Sequence, residues 1–335
     1  MPMRRARSAG STRSRTRRGS ARARTSFALV RALLVSLLGF ALAPACKGPA
    51  ASEQPALAPA RSSAAAPAES PLLWRAQHGA AVVYLFGSVH VAQPDVYPLD
   101  PRIESAFSAS DTLVLEVDLD ESSRQSAAAR MLQLASLPEG ERLEGQISPR
   151  TWQMLQERVS DPVTLALFSR LRPWFVGITL TSQELERLGF SSELGLDEHF
   201  RRRQVARGRP IISLETVDSQ LGLFGGLDRQ QQEDLLRETL EELPHYRELM
   251  SEAFVAWRKG DTVELEASLL APLRESDPVL FAKLFSERNE VMARRLVELS
   301  TKPHTYFVVV GAGHLVGATS VVDLLARQGI VAARL

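Results

Sequence analysis

The chain has 335 residues, of which 44% are hydrophobic and 24% charged, and its formal net charge is +1. Residues 1–46 contain ten arginines and no acidic residue, which leaves a net charge of −9 for residues 47–335. The acidic remainder argues against a nucleic-acid-binding protein, and 6% aromatic residues without long polar repeats argue against a disordered one.

The basic leader has the pattern of an export signal. It runs into an apolar stretch at residues 32–43, which is too short for a membrane span of about 20 residues but suits a signal peptide. Ala43-Pro44-Ala45 then supplies a cleavage site of small residues. A transit peptide is a competing interpretation that fits these features less well. We predict that residues 1–46 are a signal peptide of the lipoprotein type and that the protein is exported to a bacterial cell envelope.

Cys46, directly after this cleavage site, is the only cysteine, so the chain has no internal disulfide and no cysteine-based metal site. Its position predicts a lipid-modified cysteine that anchors the protein to the membrane, and simple cleavage before Cys46 is the alternative. Residues 47–70 are rich in Ala, Pro and Ser without apolar periodicity, which is typical of a semi-extended tether. The folded domain is expected at residues 71–335.

The first half of this domain begins with two strands and a helix. Residues 81–86 form an apolar run that predicts a buried strand, and residues 112–119 predict a second one. Between them, Asp100 and Pro101 are the N-cap and first residue of a helix at 101–108. Residues 122–299 have a mostly helical pattern, interrupted by a short strand at 210–215. Helices start at Ser148-Pro149 and at Asp277-Pro278.

The C-terminal part returns to alternating strands and helices. We predict a strand at 305–310, a turn at 311–313, a helix from 315 or 316 to 327, Gly329 just past its end, and a last strand at 330–334. Both ends of the domain therefore carry an apolar strand, a Gly-x-x-His motif and a helix. The predicted fold class is α/β, with a central sheet, flanking helices, and two strand–Gly-x-x-His–helix units separated by a long helical insert.

Candidate chemistry lies in these repeated motifs. Gly87 and Gly311 permit close approach of the backbone, and His90 and His314 follow them by three residues. Because ligands of open α/β sheets bind beyond the carboxyl ends of strands, both histidines are expected to converge there with Glu116. Two imidazoles and a carboxylate suit a divalent metal that activates water. The alternative for each residue alone is a core or capping histidine and a solvated glutamate.

Other polar residues have two interpretations each. Arg288, like Arg295, falls near the centre of an apolar helical arc, and a buried guanidinium needs an anionic partner, such as a site carboxylate or a substrate group. It can also be a snorkelling arginine at the edge of the core. Glu215 follows the mid-chain strand and either lines the same crevice or caps a helix. Residues 197–199 (Asp-Glu-His) are interpreted as a helix start with an exposed histidine, and the alternative is that His199 is a ligand.

Several familiar motifs are excluded. Residues 311–317 resemble a dinucleotide-binding fingerprint, but the final strand supplies no acidic residue for a ribose. The sequence has no G-x-S-x-G elbow, no Walker A loop and no H-E-x-x-H motif.

The order of motifs is similar to that of the TraB/GumN family, whose eukaryotic relatives include the Tiki proteins, over roughly residues 72–335. The resemblance is carried by GSVHVA (87–92), LVLEVDL (113–119), GLDEHF (195–200), SLETVDSQL (213–221), ERN (287–289) and FVVVGAGHLVG (307–317). It implies an α/β fold related to erythromycin-esterase-like and ChaN-like proteins. It also implies an active site of His90, Glu116 and His314, with Arg288 contributing. Tiki-type members are described as proteases that need Mn or Co.

From these features we predict an exported, lipid-anchored, metal-dependent hydrolase of peptide or ester substrates. His90, Glu116 and His314 would hold Mn, Co or Zn, and Arg288 would join them in catalysis. Gly87, Gly311, Asn289 and Glu215 are candidate binding residues. The expected partners are a peptide or small-molecule substrate and, through Cys46, the membrane, but no nucleic acid. The alternatives are a non-catalytic envelope protein that sequesters a peptide, a signal molecule or a metal-containing ligand, and a purely structural protein.

Overall fold

A six-stranded sheet lies at the centre of the computed structural model, which describes residues 70–335. The predicted leader, Cys46 and nearly all of the tether lie outside the described residues. The strands are β1 Leu73–His78, β2 Ala81–Ser88, β3 Thr112–Leu115, β4 Ile211–Ser213, β5 Thr305–Gly311 and β6 Ala332–Arg334. They are arranged in the order β4-β3-β5-β2-β1-β6.

Four strands of this sheet run parallel. β3 pairs with β4 and β5, and β5 pairs with β2, all in parallel, whereas β1 is antiparallel to both β2 and β6. β5 is buried along its length except at Thr305, as expected for a central strand covered on both faces. The carboxyl ends of β2, β3 and β5 therefore meet at one edge of the sheet.

The two Gly-x-x-His units follow adjacent strands, but they are not in register. In the β2–β5 ladder, Gly87 pairs with Val310, and Gly311 pairs with Ser88. The second motif is thus displaced by one residue relative to the first.

Helices surround the sheet, and most of them lie between β3 and β5. The helices are α1 Pro101–Ala109, α2 Glu121–Ala135, α3 Pro149–Arg158, α4 Pro162–Phe168, α5 Pro173–Arg187, α6 Leu196–Ala206, α7 Val217–Gly225, α8 Arg229–Glu242, α9 Tyr246–Lys259, α10 Thr262–Leu265, α11 Ala271–Ser276, α12 Pro278–Phe281, α13 Glu287–Leu299 and α14 Val321–Arg327. The predicted fold class, a central sheet with flanking helices and a long helical insert, is confirmed.

Local capping explains three of the predicted helix starts. The carboxylate of Asp100 accepts the Arg102 N–H at 2.8 Å at the start of α1. Ser148 caps α3 and Asp277 caps α12, each followed by proline. A capping side chain accepts an otherwise unpaired N–H, and proline has no N–H to leave unpaired.

The core has a large part and a small part. The large cluster covers the sheet, and the small one joins α3, α4, α5 and α8 around fully buried side chains such as Leu155 and Leu236. Among residues 70–335, no helix is both long enough and apolar enough to cross a bilayer.

The differences from the sequence-based predictions include one missed strand and two shifted boundaries. β1 was not predicted, since its sequence LWRAQH lacks a continuous apolar run. β3 ends at Leu115 rather than at residue 119, because the chain turns away there and the Asp118 N–H donates to Ser213 Oγ. α14 begins at Val321 rather than at 315 or 316, because Gly317 adopts a left-handed φ of +83° and Ser320 provides the cap.

The predicted helix after Asp277 is also interrupted. A π-helical turn at Ala282–Ser286 separates α12 from α13. The buried side of α13 includes Arg288, Met292 and Leu296, whereas Arg295 lies on the exposed side and pairs with Glu298. The predicted central position of Arg295 is therefore wrong, since the π turn changes the phase of the helix.

Candidate functional site

Both motif histidines lie just beyond the carboxyl ends of neighbouring parallel strands. His90 follows the end of β2 by two residues, and His314 follows the end of β5 by three. Gly87 packs tightly beneath them, since a Cβ there would lie 3.1 Å from Leu72 Cβ and 3.2 Å from Ala312 Cα. The glycine thus allows the two loops to lie side by side.

Glu116 lies between the two histidines. Its Oε1 atom is 3.8 Å from Nε2 of His90 and 3.8 Å from Nε2 of His314. The same oxygen accepts the N–H of Gly311 at 2.7 Å, which fixes the carboxylate to the end of β5. The structure therefore brings the three predicted residues to one point.

Arg288 and Glu215 complete this cluster. Nη2 of Arg288 donates to Oε2 of Glu116 at 2.7 Å and to Oε2 of Glu215 at 2.6 Å. The amide of Gln220 also donates to both carboxylates, at 3.4 Å and 3.1 Å. Glu215 lines the crevice, and the capping role in α7 belongs to Thr216. Arg288 thus bridges two site carboxylates.

Each imidazole is also held from behind, at Nδ1. Nδ1 of His90 lies 2.9 Å from Oδ2 of Asp197, while Oδ1 of Asp197 accepts the hydroxyl of Ser88 at 3.1 Å. Nδ1 of His314 lies 2.5 Å from Oδ1 of Asn289. Asn289 is 2% exposed, so its amide serves the interior of the site.

Asp197 is the site residue that the sequence did not identify. It stands at the start of α6, where the 197–199 cluster was interpreted as a helix start with an exposed histidine. Glu198 instead pairs with Arg124 and Arg201, both at 2.8 Å. His199 is half-buried and lies 3.0 Å from Arg203 Nη1, outside the site. The signal that the sequence offered for Asp197 was the glycine two residues before it. The structure shows why a glycine is needed there, since a Cβ at Gly195 would lie 2.0 Å from the His90 carbonyl oxygen.

The two histidines have opposite electrostatic environments. Burial disfavours the charged form of His90, but the carboxylates of Asp197 and Glu116 outweigh it and raise its pKa to about 9. Burial and then the Arg288 guanidinium lower the pKa of His314 to about 3. The neutral amide of Asn289 supplies no compensating charge. Similar motifs thus hold chemically different imidazoles.

The carboxylate between them is held ionised. Burial favours the neutral form of Glu116, but Arg288, the two histidines and the Gly311 N–H outweigh it and hold its pKa well below the usual range. Burial likewise opposes the charge on Arg288, and Glu116 and Glu215 raise its pKa. The exposed fraction of the His90, Glu116, His314, Arg288 and Glu215 side chains is 9% or less, so the cluster is almost closed to solvent.

The donor set is suited to a divalent cation. The Nδ1 atom of each histidine is already in contact with an oxygen, of Asp197 or of Asn289. The two Nε2 atoms and Oε1 of Glu116 are therefore the atoms left to face one another. Their 3.8 Å spacing is wider than the roughly 3.3 Å expected between ligands of a tetrahedral site with bonds of about 2 Å. Accordingly, no group of three or more His, Cys, Asp or Glu in residues 70–335 has the geometry of a formed metal site. The residue types fit a cation in their chemistry, whereas their spacing is not that of a formed site.

Comparison with known proteins gives a family and distant relatives. The family model for the TraB/PrgY/gumN family matches residues 72–334. The uncharacterized protein YbaP of Escherichia coli (strain K12) is 26% identical over 243 residues, which cover 72% of this chain and 87% of YbaP. The metalloprotease TIKI1 of Danio rerio is 27% identical over 303 residues, which cover 73% of this chain and 59% of TIKI1.

A metalloprotease TIKI homolog of Nematostella vectensis is 23% identical over 303 residues, covering 73% of this chain and 63% of that protein. The chain therefore spans less than two thirds of the length of these two animal relatives. No solved structure gives a significant match. The family resemblance predicted from the motifs is confirmed.

Proposed function

The chain belongs to the TraB/PrgY/gumN family, and on that premise we propose that it is a metal-dependent hydrolase of peptide or ester substrates. The observation that carries the proposal is the convergence of two Nε2 atoms, each 3.8 Å from one carboxylate oxygen. The TIKI relatives, named metalloproteases, support hydrolase or protease chemistry in general terms. The substrate class is part of the proposal.

In this function, His90, Glu116 and His314 hold a divalent cation such as Mn, Co or Zn. When bound, the cation would acidify water and polarise the substrate carbonyl. Arg288 keeps Glu116 ionised through its 2.7 Å contact, and Glu215 balances the charge of Arg288. Burial of the cluster excludes bulk water and strengthens these electrostatic interactions.

Two features favour a second function. The cluster is nearly closed, and Arg288 already contacts two carboxylates instead of facing outward. These features also suit a non-catalytic envelope protein that sequesters a peptide, a signal molecule or a metal-containing ligand. Turnover distinguishes the two functions.

Metal analysis tests the ligand set. After exposure to Mn, Co or Zn and removal of free ions, we expect about one bound metal per wild-type chain and none in His90→Ala/His314→Ala. The matched control is His245→Ala/His304→Ala, which removes two exposed histidines. Equal metal content in the site variant and the wild type would disprove the proposed ligands.

A peptide and ester library, screened with each metal, tests catalysis. We expect turnover by the wild type and its loss in Glu116→Gln, which keeps the shape of the side chain but removes its charge. Glu184→Gln is the control, since Glu184 is equally buried but pairs with Arg158 and Arg187 elsewhere. Saturable binding without turnover would reject the hydrolase and support the binding protein.

We also propose that the protein works at a bacterial cell envelope. The basic leader, the apolar stretch at 32–43 and the small residues before Cys46 support export and lipid anchoring. The acidic remainder supports partners other than nucleic acid.

A further inference from the structure

The residues behind the two histidines come from two different helices. Asp197 lies in the first turn of α6, and Asn289 lies in the first turn of α13. Each meets one histidine ring at Nδ1, whereas Nε2 is the ring atom near Glu116. Both belong to sequence segments remote from the Gly-x-x-His motifs.

The orientation of Asn289 determines which nitrogen of His314 carries hydrogen. Nδ2 of Asn289 donates to the carbonyl of Thr319 at 2.7 Å, and a carbonyl can only accept. Oδ1 therefore faces His314, and because this oxygen is an acceptor, Nδ1 of His314 must donate. In the neutral ring, Nε2 is then a bare lone pair facing the site. Flipping the amide would place two oxygens against each other at Thr319.

Asp197 fixes His90 in a similar way. Its oxygens can only accept, and Oδ2 lies 2.9 Å from Nδ1 of His90, so the negative charge of the carboxylate favours a hydrogen on that nitrogen. The other oxygen accepts from Ser88, whose side chain is fully buried at the end of β2. The carboxylate is therefore fixed relative to the strand that leads into the His90 loop.

The backbone before Asp197 is also hydrogen-bonded to the His90 loop. Ala92 and Ser191 exchange two hydrogen bonds, at 3.1 Å and 2.9 Å, and the Leu196 N–H donates to the Val89 carbonyl at 3.0 Å. Residues 191–197 thus contact the loop through both backbone and side chain. Rotation of the His90 ring would break the 2.9 Å contact with Asp197.

We infer that Asp197 and Asn289 are positioning residues, which hold Nδ1 of His90 and of His314 so that both Nε2 atoms face Oε1 of Glu116. The group that positions His90 is the carboxylate of Asp197, and the group that positions His314 is the neutral amide of Asn289. The importance of this arrangement for hydrolysis rests on the proposed function. The ring orientations themselves do not, so the two ideas can fail separately.

The first test uses nitrogen NMR of the histidine rings in the metal-free protein labelled with ¹⁵N-histidine. In the wild type we expect His314 to carry hydrogen on Nδ1 and none on Nε2. Asn289→Leu, close in size, should lose this tautomer, and Asn289→Asp, which keeps an acceptor, should retain it. A wild-type His314 with hydrogen on Nε2 and a bare Nδ1 would overturn the inference even if no variant folds.

The second test addresses Asp197 in the same spectra. The wild type should show an Nδ1–H of His90 that exchanges slowly with water, since it is buried against Asp197. Asp197→Leu should lose this signal, whereas Asp197→Asn, which keeps an oxygen acceptor, should partly retain it. Glu184→Gln controls for any general loss of stability. A bare Nδ1 in the wild type, or an unchanged signal in Asp197→Leu, would contradict the assignment.

Metal affinity gives a third, independent measurement. Titration with Co or Mn should show affinity lower by about 10- to 100-fold in each leucine variant, as for other residues that orient metal-binding histidines. If the wild type binds no metal but the NMR results hold, the proposed function fails and the positioning roles stand. Unchanged affinity in leucine variants that have lost their Nδ1–H signals would limit the roles to ring orientation and overturn their link to the site.

Discussion

Arg288 allows two carboxylates to lie side by side in the interior. Glu116 and Glu215 are both nearly buried, and one guanidinium contacts each of them within 2.7 Å. Without it, two negative charges would share a region almost free of water, which is strongly unfavourable. Arg288 therefore stabilises the fold as well as the charge state of the site.

Removing this guanidinium should be costly. We expect Arg288→Met to lower the free energy of unfolding by about 3–5 kcal/mol, because it leaves buried charge without a partner. Arg295→Met is the matched control on the same helix. Its partner Glu298 is exposed, so its effect should stay below about 1 kcal/mol. Urea denaturation measures both, and an equal effect of the two variants would contradict this view of Arg288.

His199 provides a pH dependence away from the metal candidates. Burial and then the Arg203 guanidinium lower its pKa, with Arg202 acting in the same direction and Glu104 opposing them. The unfolded chain therefore takes up a proton before the folded one does, and the stability present above pH 6.5 falls as the pH decreases. We expect His199→Gln to lose less stability than the wild type between pH 7 and pH 5 in urea denaturation. Parallel pH profiles would disprove this contribution.

At the scale of elements, the start of α6 and the His90 loop touch through their backbones. A Cβ at Gly195 would lie 2.0 Å from the His90 carbonyl oxygen, so the glycine is required for the contact rather than for an unusual φ. Backbone cannot yield as a flexible side chain can. The two segments must separate if residue 195 gains a side chain.

Gly195→Ala should therefore displace His90. We expect a changed ring NMR signal for His90, weaker metal binding and lower stability. Gly222→Ala is a suitable control, since a Cβ there meets nothing within 4 Å and the residue lies within α7. That control should be more stable by about 0.5–1 kcal/mol, because alanine favours helix over glycine. An unchanged His90 signal in Gly195→Ala would show that the loop adapts.

Elements with local signals were predictable from the sequence. Asp100, Ser148 and Asp277 each mark a helix start, because a cap and the proline after it act within one turn. The end of β3 depends on contacts with residues far along the chain, such as that of Asp118 with Ser213. The strand predicted from the sequence was therefore too long. The buried side of α13 was also predicted incorrectly, because the 3.6-residue period does not hold at the π turn before this helix.

The same distinction applies to the site. The repeated Gly-x-x-His motif and the strand before Glu116 were enough to place three polar groups at one edge of a parallel sheet. Asp197 was missed because its contacts span the chain, with Ser88 lying 109 residues before it. Pairing of Arg288 with a site carboxylate was one of the predicted alternatives, but the bridge to a second carboxylate was not predicted.

For the whole molecule, the order of parts suits a domain held at a surface. The described domain starts at the antiparallel side of the sheet, where Arg334 of β6 donates to the carbonyls of Ser70 and Pro71 at 2.9 Å and 2.6 Å. The predicted tether and Cys46 come before this point. Ser70 is thus held by the last strand, so a pull on the tether would act on that edge of the sheet.

Lipid anchoring is testable by fractionation of cells that express the full chain. We expect the wild type in the membrane fraction and Cys46→Ala in a soluble fraction, since a lipid on Cys46 would retain the mature protein at the membrane. Ser62→Ala, within the predicted tether, should behave like the wild type. A wild-type protein found in the soluble fraction would favour simple cleavage before Cys46.

The one-residue displacement between the two motifs has a consequence for symmetry. Neighbouring residues of paired parallel strands point to the same face of a sheet, and successive residues alternate. Because Gly87 pairs with Val310 rather than with Gly311, equivalent positions of the two motifs leave the ladder toward opposite faces. The copies are thus not related by a simple translation from one strand to the next. A molecule lying across both loops meets unlike surroundings at its two ends, which gives the site a direction.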